Sequence, residues 1–215
     1  MIQLHTINIL VHVLAGTLAL VTGIITLVAV KGGKAHIRSG RLFAGLMSIV
    51  ITTGLAGVFI FGRNSLLLVI TLLSAYNCFS GIWVLRQRGR APGTVDRGIA
   101  LAVMASALYY LYSIRSAGLF WSPGVIYPTV GALFLVTTYD LFKSFFPADL
   151  RKKTMLYEHV YKMVSAFSGI CSAFSGTVFP RYQPYSQLLP SIMGLAYIIV
   201  IFIRLSRKRC AFIQP

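Results

Sequence analysis

Apolar residues run along this chain in long blocks, without the period-two alternation of a half-buried strand or the narrow stripe of a soluble helix. Seven blocks stand out: Ile7 to Val30, Leu42 to Phe61, Ser65 to Leu85, Gly98 to Phe120, Pro123 to Phe146, Met155 to Phe179 and Gln187 to Leu205. A helix rising about 1.5 Å per residue crosses roughly 30 Å of hydrocarbon in about 20 residues, and each block is long enough. The separators are turn-like: Lys31-Gly32-Gly33, Gly62-Arg63-Asn64, Gly89-Arg90-Ala91-Pro92-Gly93, Trp121-Ser122-Pro123-Gly124, Pro147-Ala148-Asp149 and Pro180-Arg181-Tyr182-Gln183-Pro184.

In lipid every backbone polar group must be satisfied within its own segment, which excludes open strands from these blocks. The pattern therefore predicts an all-α integral membrane bundle of seven transmembrane helices, a single domain over residues 1–215. Composition agrees: 57% of residues are hydrophobic, 11% are charged and the mean hydropathy is +0.79. The first block has no basic region before it and continues to Val30, so it reads as a retained span and not a cleaved leader.

Charge adds direction. The formal net charge is +16, and in a soluble protein that would point to nucleic acid. Here the cations sit in short clusters between apolar blocks, which excludes a nucleic-acid groove and fits contact with anionic lipid headgroups. Lys31, Lys34, Arg38 and Arg41 follow the first block; Arg86, Arg88, Arg90 and Arg97 follow the third. Lys143, Arg151, Lys152 and Lys153 flank the fifth, and Arg204, Arg207, Lys208 and Arg209 end the last. The other ends hold only Arg63, Arg115 and Arg181. The positive-inside rule puts the four clusters in the cytoplasm, the N-terminus outside and the span count odd.

Small residues mark the faces that pack on protein. His12, Gly16, Ala19 and Gly23 share one stripe, and Ser165, Ser168, Ser172 and Ser175 share another beside Gly169 and Gly176. His12 on the first stripe is expected to bond a backbone carbonyl or a tyrosine such as Tyr110 or Tyr112, or else to serve as a relay or ligand contact.

Ionisable side chains inside a span are costly and usually functional. The chain has four acidic residues, and Asp140 lies near the end of the fifth block, so it is expected to pair with a cation such as Lys162 or Arg41. Glu158 and Lys162 have the favoured i, i+4 order for a pair along one helix. Asp140, His159, Lys162, His36 in the first basic loop and Asn77 of the third block converge on one depth. They suggest a polar pocket near the cytoplasmic leaflet for a small anion, a lipid or quinone headgroup, or a metal. His36 with His159 suggests a bis-histidine haem, and the same pair with Asp140 suggests zinc, although no diagnostic spacing supports either. Cys78, Cys171 and Cys210 share no ligand spacing. The Lys31–Arg41 segment lacks the phosphate-loop spacing, and no hydrolase motif appears.

The pattern His12-x-x-x-Gly16-x-x-Ala19-Leu20-x-x-Gly23, then Lys31-Gly-Gly-x-x-His36-x-x-x-Gly40-Arg41, resembles a family of bacterial integral membrane proteins known only as a domain of unknown function. Asp140 and the His159-x-x-Lys162-Met163 segment extend the likeness over most of the chain, with Lys162 where arginine is expected. The resemblance implies a bacterial cytoplasmic membrane protein in which His12, His36, Asp140 and His159 matter together, and it supplies no reaction. The residues favour small-ligand or cofactor binding at the polar cluster. A small proton-coupled transporter, or an accessory subunit of a membrane complex, are the alternatives.

Overall fold

A computed structural model describes residues 2–61, 65–117 and 122–211. Arg63 and Trp121, together with the side chains of Arg115, Lys208, Arg209 and Cys210, lie outside the described residues. Among the described residues the chain is all-helical. Its seven α-helices are α1 (Ile2–Val28), α2 (Lys34–Phe59), α3 (Ser65–Gln87), α4 (Thr94–Ala117), α5 (Pro123–Phe142), α6 (Ala148–Val178) and α7 (Tyr185–Ala211). Five of them, α1, α2, α3, α5 and α7, contain stretches long and apolar enough to cross a membrane. The other two, α4 and α6, have 24 and 31 residues, so length does not limit them; their polar and charged side chains do.

The apolar blocks foretell the helices but not their ends. α2 starts eight residues before Leu42, and α6 starts seven before Met155. An apolar block reports the hydrocarbon thickness, whereas a helix continues into the polar boundary until a turn residue stops it. His36, Arg38 and Arg41, expected in a loop, therefore sit in the first turns of α2, which begins after Gly33. Likewise Glu158, His159 and Lys162 lie well inside α6 and not at its start.

Two apolar cores share α3. One joins Val69 and Tyr76 of α3 to Ala107 of α4 and Ile126 and Leu133 of α5. The other joins Cys78 of α3 to Ala19, Phe43, Met47 and Ala166 of α1, α2 and α6. α3 thus packs against α2, α4, α5 and α6 and is the central helix. The outer faces are apolar too: Leu14 is 65% exposed and Leu135 71%. A water-facing bundle would hide such faces, and lipid satisfies them.

The small-residue stripes lie at helix contacts. Ala19 is fully buried, and Gly23 faces Phe43 and Phe167. On α6, Ser172 bonds Ser191 of α7 at 3.1 Å, Ser175 donates to the Ser186 carbonyl, and Gly169 faces Ser74 of α3. These stripes let backbones approach closely where lipid offers no hydrophobic gain for association.

Turns rich in cations meet at one end of the bundle. Arg151 of α6 donates to the Gly89 carbonyl in the α3–α4 turn at 3.0 Å. Gly89 has φ +81° there, a left-handed conformation that glycine adopts without penalty, and a Cβ would meet Lys152. Tyr197 of α7 donates to the Leu27 carbonyl at the end of α1, at 2.8 Å.

Candidate functional site

The charged centre of the molecule is built by α3, α5 and α6. Lys162 Nζ of α6 donates to both Asp140 carboxylate oxygens of α5, each at 2.7 Å. Tyr76 of α3 donates to Asp140 Oδ2 at 2.6 Å. The Lys162 side chain is 3% exposed and that of Asp140 13%. A lone charge at such a position would be prohibitively costly, and a paired, hydrogen-bonded one is sustainable. Of the two cations expected for Asp140, the structure selects Lys162; Arg41 is exposed on α2.

A second buried pair lies beside the first. Lys143, in the 3-10 turn after α5, is 2.6 Å from Glu158 of α6, and both are about 95% buried. Tyr139 donates to Glu158 Oε1 at 3.0 Å and Thr154 to the same atom at 3.1 Å. This corrects two expectations. Glu158 pairs across helices with Lys143 and not along α6 with Lys162, because both side chains turn toward α5. Lys143, counted among the basic flanks, is a neutralised interior residue.

The Tyr76–Asp140–Lys162 triad closes one end of a cavity of ≈750 Å³ between α3 and α4. Its walls are apolar and aromatic: Phe79, Ile82 and Trp83 from α3, and Val95, Ile99 and Val103 from α4. Arg86, Gln87 and Asp96 stand toward the basic turns, where Gln87 donates to Asp96 at 2.8 Å. Ser80 also lines the cavity, and its buried hydroxyl has no hydrogen-bond partner among the described residues. Phe79 is 49% and Trp83 47% exposed, so the cleft is open along its side. Such a cleft can take an elongated apolar molecule and present its polar head to Lys162, Tyr76 and Ser80.

The expected single cluster is thus two. His159 bonds the Gly81 carbonyl through Nδ1 at 2.7 Å, and His36 bonds the Thr26 carbonyl through Nδ1 at 3.0 Å. A carbonyl only accepts, so each Nδ1 carries a proton. Neither imidazole lines the cleft. A zinc site made with Asp140 is not assembled: among the described residues no three His, Cys, Asp or Glu side chains are placed to hold a metal ion. His12 stands apart and bonds Thr53 of α2 at 2.8 Å, not a tyrosine of α4. Asn77 lies on another face of α3, in a second cavity.

Sequence reasoning missed Tyr76, Tyr139, Thr154 and the pairing of Lys143 with Glu158. A signal for the pairing was present. Asp140-x-x-Lys143 and Glu158-x-x-x-Lys162 carry opposite signs one turn apart with reversed order of depth, which antiparallel neighbours match. Compared with family models, curated proteins and solved structures, the chain matches none.

Proposed function

We propose that this protein binds a lipid-soluble amphiphile with an uncharged hydrogen-bonding head, quinones being the class that fits best, in the cleft between α3 and α4. The observation that carries this reading is the buried triad at the inner end of an aromatic-walled, side-opening cavity. The Asp140–Lys162 pair is neutral overall, so it favours a neutral head over a free anion. A quinone carbonyl would accept from the third N–H of Lys162 or from Ser80, and its ring and tail would lie along Phe79, Trp83 and Ile99. In this reading all seven helices cross a bacterial cytoplasmic membrane and the basic turns face the cytoplasm, as the positive-inside rule requires. The cleft then opens in the cytoplasmic leaflet. The resemblance to uncharacterised bacterial membrane proteins is compatible with it and adds no chemistry.

Trp83 provides the test. In a Trp121→Phe background it is the sole tryptophan, and a short-chain benzoquinone should quench its fluorescence saturably in detergent. Ile99→Trp, measured by native mass spectrometry to avoid the added fluorophore, should fill the cleft and remove the bound quinone. Linear quenching, with no quinone retained by the wild type, would sink the reading.

A further inference from the structure

A second cavity of ≈240 Å³ lies among α3, α5, α6 and α7 and shares no lining residue with the cleft. Its lining includes no charged side chain but many polar ones, among them Asn77, Ser165, Ser168, Ser172, Gln187 and Ser191. Two of these make the case. Asn77 is 2% exposed and Gln187 8%, and the amide oxygen of each has no hydrogen-bond partner among the described residues. A buried amide oxygen left without a donor is costly, and both belong to residues that line this one cavity, where water can supply the missing donor. The volume exceeds the roughly 10–15 Å³ that one water needs by more than tenfold, and the site offers each water several partners.

We infer that this cavity is a water-filled vestibule that admits water and small polar solutes to the bundle interior. It runs from Gln187, in the first turn of α7 beside the Pro180–Tyr182 turn, to Asn77 and Tyr161. That end is opposite to the basic turns. Its inner limit is next to the charged centre: Tyr161 and Ser165 flank Lys162 on α6, and Asn77 is one turn from Gly81, which touches Lys162. The Asp140–Lys162 pair therefore separates an amphipathic cleft on one side from a hydrated chamber on the other. Water in the cavity reaches within a turn of the pair, from the side away from the basic turns. The vestibule stands on its own lining and does not depend on what occupies the cleft.

Cysteine accessibility tests the inference in proteoliposomes of known orientation. With Cys78, Cys171 and Cys210 replaced by alanine, Ser191→Cys and Ser168→Cys should react with a charged, impermeant methanethiosulfonate added on the Pro180–Tyr182 side. Both should react at least about ten-fold faster than Ala166→Cys, which lies in a dry apolar core. Rates equal to the Ala166→Cys control, or labelling only from the basic-turn side, would overturn it. Wild-type protein gives a check free of substitutions: X-ray radiolysis should oxidise Tyr161 and Leu73 through adjacent water, and absence of both products would equally count against a hydrated cavity.

Discussion

Lys143 Nζ and Glu158 Oε2 are 2.6 Å apart, and the pair they form repeats the Asp140–Lys162 pair one helical turn away with its polarity reversed. α5 with the turn that follows it carries an acid and then a base, and α6, running the other way, carries the matching base and acid. Each helix is locally neutral, and each charge has a counter-ion opposite and another one turn along its own helix. Neutralising one member should be severe. Lys162→Met leaves Asp140 buried with only Tyr76, and we expect a loss of about 3–5 kcal/mol in thermal unfolding in detergent. Reversing one pair, Asp140→Lys with Lys162→Asp, should not recover it, because two lysines then adjoin at the end of α5 and in the turn after it, and two acids on α6. Reversing all four charges should recover most of the loss. If the single reversal proves as stable as the fourfold one, the pairs are independent and the alternation has no energetic meaning.

Gly81 is where α3 and α6 come closest beside the charged centre. An added Cβ would stand 2.9 Å from Lys162 Cβ and 3.2 Å from Met163 Sδ, and the Gly81 carbonyl holds His159. Lys162 Cβ is close to its backbone and cannot swing away, so α6 must move. Gly81→Ala should cost about 1–3 kcal/mol, as overpacking does. Gly98→Ala is the internal comparison: nothing lies within 4 Å of its Cβ position on α4, and the change should be neutral or stabilising by up to about 1 kcal/mol. Equal effects of the two substitutions, read as melting temperatures, would refute the close-approach argument.

The contrast between those two glycines also indicates how far the sequence reaches. The helical class, the small-residue stripes and the partnership of Asp140 with Lys162 were readable, because depth in a membrane is encoded by run length and desolvated charges must pair. Helix starts were not, since Lys34, His36 and Arg38 are polar yet remain helical once clear of hydrocarbon. Rotation about the helix axis was not readable either. It decides that Lys143 points inward to Glu158, that His159 turns to Gly81, and that the adjacent residues Tyr76 and Asn77 face different cavities. No period in one sequence sets that rotation; packing against α3 does.

His12 is expected to act as a tie between α1 and α2. Thr53 donates its hydroxyl proton to the Ile49 carbonyl at 2.7 Å, so its oxygen accepts from His12 Nδ1 at 2.8 Å. Asn8, one turn earlier on α1, donates to the Thr53 carbonyl at 3.1 Å, so two bonds from one face of α1 converge on one residue of α2. Interhelical bonds of this kind are individually modest, averaging about 0.6 kcal/mol by double-mutant cycles in a membrane bundle. A cycle of His12→Ala and Thr53→Val should return a coupling of that size, with quinone retention and vestibule labelling unchanged, since neither residue lines either cavity. A coupling near zero would remove the tie, and loss of quinone binding in His12→Ala would give His12 a role in the ligand site that its position at Thr53 does not predict.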